Sequence, residues 1–112
     1  MKLKKGKLEV QILQFKEAID TFTKVLELDK QSKTARLSRA YIYTLTKENT
    51  KSIEDYTYAI ENFKNINGEV YYFRALAYFN SKQTQLGCID IDKAKQIGYK
   101  IPSEIDDKIC KN

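Results

Sequence analysis

Phe15-Lys16-Glu17-Ala18-Ile19-Asp20-Thr21-Phe22-Thr23-Lys24-Val25-Leu26-Glu27 is followed, 34 residues later, by Asn49-Thr50-Lys51-Ser52-Ile53-Glu54-Asp55-Tyr56-Thr57-Tyr58-Ala59-Ile60-Glu61. Laid over one another, Ala18 meets Ser52, Phe22 meets Tyr56 and Val25 meets Ala59. A further shift of 35 brings Arg39-Ala40-Tyr41-Ile42-Tyr43 onto Arg74-Ala75-Leu76-Ala77-Tyr78 and Ala59 onto Ala94, the extra residue fitting the turn from Asn65 to Gly68. Self-similarity at a fixed period of this size is the mark of stacked structural repeats, each a unit that cannot bury its apolar face alone.

The spacing within the repeats is helical. Phe15, Ile19, Phe22 and Leu26 form one stripe, Ile53, Tyr56, Ile60 and Phe63 a second, and Leu86, Ile89, Ala94 and Ile97 a third that is less regular. The stretches Leu3 to Leu13, Ala35 to Leu45 and Val70 to Phe79 between them also read as helices. Short polar breaks fall at Gln31-Ser32-Lys33, Lys47-Glu48-Asn49-Thr50, Asn65-Ile66-Asn67-Gly68 and Ser81-Lys82-Gln83-Thr84, and connections this short make neighbouring helices antiparallel. Gly98 suits a helix C-cap, and Pro102-Ser103-Glu104 opens a last helix carrying Ile105 and Ile109 on one side. The expectation is six helices plus one.

The pattern resembles the tetratricopeptide repeat (TPR) family, whose two-helix unit of 34 residues places small residues where helices cross and an aromatic one turn later. The resemblance covers about residues 2–97. It rests on Leu3-Lys4-Lys5-Gly6, Phe15, Ala18 and Phe22; on Ala40, Tyr43, Ser52, Tyr56 and Ala59; and on Ala75, Tyr78, Gly87 and Ala94. Departures are Glu9 where the family has an aromatic, Lys30 and Tyr99 where it often has Pro, and Ile91 in place of an aromatic. The resemblance implies an all-α, right-handed superhelix, an α-solenoid. Its three helix-turn-helix units would lie at about 1–32, 33–66 and 67–100, with a capping helix at about 102–110, all in one domain over 1–112.

Composition agrees with one helical domain. The 112 residues are 42% hydrophobic, with one Pro and four Gly against eight Tyr and five Phe, so the chain has few breaks and many bulky packing residues. The formal charge of +5 is thin and dispersed. Residues 1–32 hold 7 basic and 5 acidic side chains, 33–66 hold 6 and 4, and 67–112 hold 7 and 6; only Lys2, Lys4, Lys5 and Lys7 cluster. Cys88 and Cys110 are far apart and belong to no C-x-x-C pair, so they read as free thiols suited to a reducing cytosol, a secreted mature domain remaining the alternative. No signal peptide or membrane-length apolar run occurs, so the chain reads as soluble.

The absence of histidine removes Ser-His-Asp and Cys-His nucleophile systems and His metal sites. The acidic pairs Glu54-Asp55, Asp106-Asp107 and Asp90/Asp92 read as solvated helix faces, and no Gly-rich phosphate loop is present. The sequence is therefore read as a non-enzyme with no cofactor and no metal. In the family it resembles, first helices line a concave groove. By register that groove would present Lys4, Lys7 and Gln11 from unit one; Leu37, Ser38, Tyr41, Thr44 and Leu45 from unit two; and Tyr72, Phe73, Leu76, Phe79 and Asn80 from unit three. Such an apolar, aromatic surface points to a bound protein or peptide segment, with Tyr41, Phe73 and Phe79 as anchors and the basic first helix favouring an acidic flank. A subfamily clamps its ligand's C-terminal carboxylate, but those places hold Leu3, Lys7, Ser38, Glu69 and Phe73 here, and Glu69 would repel that ligand. Two alternatives stay open. One is RNA binding, since pentatricopeptide repeats are helix pairs of 35 residues whose ends are similar to Gly98-Tyr99-Lys100-Ile101-Pro102. The other is self-association as a homo-oligomer. The 34-residue match and weak net charge favour a protein ligand over nucleic acid, and no membrane is implied.

Overall fold

The computed structural model describes the backbone over residues 2–110 and the side chains over residues 10–110. All its regular elements are helices: α1 Lys2–Leu28, α2 Lys33–Leu45, α3 Asn49–Asn62, α4 Gly68–Asn80, α5 Thr84–Ile97 and α6 Ser103–Lys108. The polar breaks fall where the spacing places them. Ser32 caps α2, its side-chain oxygen accepting from the Ala35 amide at 3.2 Å. Both α2 and α4 end on a lysine in the left-handed region, Lys47 at φ 64° and Lys82 at φ 63°. The next amide then bonds back across the last turn, Glu48 N to Tyr43 O at 2.9 Å and Gln83 N to Tyr78 O at 2.8 Å.

Each of the first four helices packs on the next, and α2 also lies beside α4. Ala40, Ala59, Ala75 and Ala94 are all fully buried, so the small residues of the repeat lie where helices approach closely. Ala40, Tyr56 and Val70 form the centre of the core, with Leu37, Ile60, Ile66 and Phe73 packed around them.

The same polar cluster is built twice, its Arg and Asp 35 residues apart and its Thr 34. Arg39 Nε and Nη2 donate to the two oxygens of Asp55 at 2.7 and 2.8 Å, and Nη1 donates to Thr23 Oγ1 at 3.1 Å. Arg74 Nε and Nη2 donate to Asp90 at 2.7 Å each, and Nη1 donates to Thr57 Oγ1 at 3.0 Å. Each cluster ties both helices of one pair to the helix that precedes it. Asp55 and Asp90 are therefore not on solvated faces as the sequence suggested: they are buried, and the two-pronged guanidinium fork satisfies both carboxylate oxygens. Asp106 is paired as well, accepting from Lys95 Nζ at 3.0 and 3.1 Å at the surface.

Three further expectations are corrected. Residues 2–28 form one helix rather than an antiparallel pair, so six helices are seen where seven were expected. Nothing between Leu13 and Phe15 can turn the chain: Glu9-Val10-Gln11-Ile12-Leu13-Gln14 contains no Gly, Pro, Asn, Asp or Ser. Of the third apolar stripe only Ala94 faces inward, beside Gly87, Asp90 and Ile91, while Leu86 at 45%, Ile89 at 51% and Ile97 at 51% are exposed. The cysteines are not free thiols. Cys88 and Cys110 form a disulfide with Cα atoms 5.4 Å apart, because the chain after Gly98 turns α6 back alongside α5. In the capping segment Ile101 and Ile105 are half-buried, whereas Ile109 stays 45% exposed and covers little.

Candidate functional site

Side by side, α2 and α4 present a face built from residues three and four apart: Leu37, Tyr41 and Leu45 on α2, and Glu69, Tyr72, Phe73, Leu76 and Asn80 on α4. An aromatic row crosses it. The Tyr41 ring meets Phe73 edge-on at 5.1 Å, Phe73 lies 5.6 Å from Tyr72, and Tyr72 lies 5.1 Å from Tyr99. Beneath, Phe73 stacks on the buried Tyr56 at 6.4 Å, so the row is fixed to the core from below. Its far end is held by Tyr99 against Gly68, where even a methyl group would lie 2.6 Å from the Tyr99 Cβ.

Exposure is graded along this face. Tyr41 is 43% and Leu45 45% exposed, while Leu37, Tyr72, Phe73 and Leu76 are half-buried and offer only part of their surface. Two phenols are perturbed. Burial pushes Tyr56 well above the ordinary tyrosine range, with the Glu69 charge adding to it. Burial also raises Tyr72, helped by Tyr99 and the Glu104 carboxylate. The Glu104 carboxylate thus borders the row at its Tyr72 end.

Of the residues predicted to line a groove, this face holds Leu37, Ser38, Tyr41, Leu45, Tyr72, Phe73, Leu76 and Asn80. Thr44 is not available to a ligand: it is buried at the α2–α3 crossing, where its hydroxyl donates to Ala40 O at 3.1 Å and shares a 2.7 Å bond with Ser52. Phe79 is likewise turned into its own pair, its ring closing over Gly87. Gln11 is exposed on α1 beyond the part that α2 accompanies, and the side chains of Lys4 and Lys7 lie outside the described residues. Tyr99 was missed. The signal that could have found it is Gly68, a buried helix-start glycine needing a bulky neighbour.

Among the described residues four hollows of about 380–450 Å³ lie elsewhere, none of them on this face, and two adjoin the disulfide or the arginines. One, of about 450 Å³, lies beside the disulfide and is lined by Thr84, Ile89, Asp92 and Ile109. The other, of about 390 Å³, lies among Arg36, Arg39, Tyr43, Lys51 and Tyr58. Its guanidinium groups are already engaged: Arg39 holds Asp55, and Arg36 bonds Asp55 at 3.4 Å and Lys30 O at 3.0 Å while stacking 3.8 Å from the Tyr58 ring centre. Among the described residues no group of three His, Cys, Asp or Glu is placed to hold a metal, and no helix is long and apolar enough to cross a membrane. Set against family models, curated proteins and solved structures, the chain matches none of them.

Proposed function

We propose that the chain is a TPR-type helical repeat that binds a peptide or partner segment along the α2/α4 face, as a scaffold or adaptor rather than an enzyme. In this reading α2–α3 and α4–α5 are two complete units of a right-handed solenoid, and α1 supplies the second helix of an incomplete first one. The observation that carries the binding role is the Tyr41–Phe73–Tyr72–Tyr99 row, a continuous aromatic surface anchored from below and left partly open at Tyr41 and Leu45. Supporting a protein over a nucleic-acid ligand, Arg39 and Arg74 are consumed by internal carboxylates and are not free for phosphates. The disulfide suits an oxidising compartment better than the reducing cytosol that free thiols implied.

The test is a selection of peptides from a displayed random library on the immobilised chain, followed by affinity measurement against Tyr41→Ala. Tyr41 is the right target because its truncation spares the core, whereas Phe73→Ala would strip the cover from Tyr56. Selected peptides are expected to lose about tenfold or more in affinity with helicity unchanged. Binding that ignores Tyr41→Ala, or retention that vanishes with moderate salt, would contradict the proposal.

A further inference from the structure

Beyond Gly98 the chain is held to the body in two ways that differ in kind. Tyr99 is tied by its amide to Ala94 O at 2.9 Å and by the packing of its side chain on Gly68, so the chain as far as Tyr99 belongs to the α4–α5 pair. The α6 segment is anchored differently. It has six residues, none of them buried, and Pro102 ahead of it offers no side-chain cap. Its backbone hydrogen bonds stay within the segment, the Ile105 and Asp106 amides donating to Pro102 O and the Ile109 and Cys110 amides to Ile105 O. A helix this short does not hold itself in water. What joins it to α5 is the exposed Lys95–Asp106 ion pair, the half-buried Ile101 and Ile105, and the Cys88–Cys110 bond. An exposed ion pair contributes little, so the disulfide carries most of the attachment.

That bond is open to reagents. Both cysteines are half-buried, and both line the hollow of about 450 Å³ together with Thr84, Gln85, Ile89 and Asp92. We propose that Cys88–Cys110 is a thiol–disulfide exchange site, at which a dithiol reductant entering this hollow releases α6 from α5 and takes the Glu104 carboxylate away from Tyr72. A thiolate of the reductant bonds to one cysteine sulfur while the other sulfur leaves as a thiolate. The reductant's second thiol then displaces the first sulfur and closes the reductant's own disulfide. Two electrons pass to the protein, the two protons of the dithiol end on Cys88 and Cys110, and a disulfide reagent reverses the step. The release stops at Tyr99, which Ala94 and Gly68 hold without the bond. Glu104 lies within α6, so the charge that helps to raise the Tyr72 phenol leaves with it. The state of one bond thus sets whether an acid borders the Tyr72 end of the aromatic row. Release of α6 does not depend on the α2/α4 face being a binding surface; only the use of the altered border rests on that role.

Amide hydrogen exchange of the full chain, oxidised and after treatment with dithiothreitol, tests it, with alkylation and mass measurement counting the thiols. Two thiols should appear under conditions that leave α2–α5 protected. The amides of Ile105, Asp106, Ile109 and Cys110 should then exchange about tenfold faster or more, and those of α2–α5 at their former rates. Cys88→Ser/Cys110→Ser should reproduce the reduced pattern without reductant, whereas Lys95→Ala in the oxidised chain should leave most of the α6 protection in place. The Tyr72 ring, followed by NMR as pH rises, should titrate lower in Cys88→Ser/Cys110→Ser, by as much as Glu104→Gln achieves in the oxidised chain. A bond that dithiothreitol reduces only after urea has unfolded the chain overturns the exchange site. Equal protection of α6 in both states overturns its release, as does a loss of protection that spreads through α4 and α5. A Tyr72 titration indifferent to the double substitution overturns the link to the aromatic row. None of these readouts uses a peptide, so their failure is distinct from a failure of the α2/α4 face to bind one.

Discussion

At the crossing of α2 with α3, Thr44 and Ser52 share a 2.7 Å hydroxyl hydrogen bond; with Thr44 donating to Ala40 O at 3.1 Å, the Ser52 hydroxyl is the donor to Thr44. At the crossing of α4 with α5, 35 residues on, the same two places hold Phe79 and Gly87, with the ring so close that a Cβ on Gly87 would lie 2.4 Å from it. Tyr56 in the first pair is replaced by Ile91 in the second, and both are buried. Around these differences the frame is constant: alanines at the crossings, a left-handed lysine at each turn, and an Arg–Asp fork reaching back to a threonine of the preceding helix. The repeat is thus conserved in backbone approach and in its polar tie, while the filling of each crossing varies as a matched pair. Two hydroxyls satisfy each other, or an aromatic ring fills the space left by a missing side chain.

The comparison breaks most severely at the polar tie. Asp55→Ala and Asp90→Ala should each destabilise the fold by up to about 3 kcal/mol in urea unfolding, because either one leaves a half-buried guanidinium without its counter-ion. The loss at Asp55 should be the larger, since Asp55 also accepts from Arg36 at 3.4 Å while, among the described residues, Asp90 holds Arg74 alone; a loss under about 1 kcal/mol in either would show that fork to be a bystander.

Exchanging the fillings sharpens the comparison. Gly87→Ser alone should cost about 1–3 kcal/mol, since it forces the Phe79 ring aside. Adding Phe79→Thr, which copies the first pair's arrangement into the second, should recover part of that cost, whereas simple addition of two destabilisations would contradict the idea of matched pairs.

The smallest difference lies at Tyr56. Its raised pKa means that the folded state keeps a proton which the unfolded chain releases above its ordinary value of 10. The associated stability is intact below pH 10 and is lost as pH rises beyond it, by up to about 1.4 kcal/mol per unit. Stability measured from pH 9 upward should fall less steeply in Tyr56→Phe, and an unchanged slope would assign the alkaline loss to other groups.

Much of this frame was legible in the sequence, because a period of 34 or 35 residues fixes which positions recur. Ala40, Ala59, Ala75 and Ala94 were found in that way. Asp55 and Asp90 are not legible in this way, although they too are 35 apart and each follows its arginine by 16 residues; charge alone suggests exposure, whereas a carboxylate's burial depends on a partner from another helix. The α5 stripe was misread for a related reason. Leu86, Ile89 and Ile97 are more apolar than Gly87, Asp90 and Ala94, yet close approach of α4 requires the small residues and the paired acid to face inward. The continuity of α1 was visible as a missing breaker beside Leu13, and the period suggested a turn that local sequence does not supply. The disulfide depends on how α6 folds back, which no spacing of two cysteines encodes. On the α2/α4 face proposed for binding, Tyr41, Leu45 and Phe73 follow from helical register, while Thr44 is taken up by the crossing and Tyr99 comes from outside the helices.

The most direct test of the account is an amide NMR titration of the chain, at a concentration where it is monomeric, with the tightest selected peptide. Perturbations gathered on Leu37, Tyr41 and Leu45 of α2, on Tyr72, Phe73 and Leu76 of α4, and on Tyr99 are the predicted result. Perturbations centred instead on the opposite side, at Tyr58, Tyr71 and Lys93, would contradict it and move the binding surface off the aromatic row.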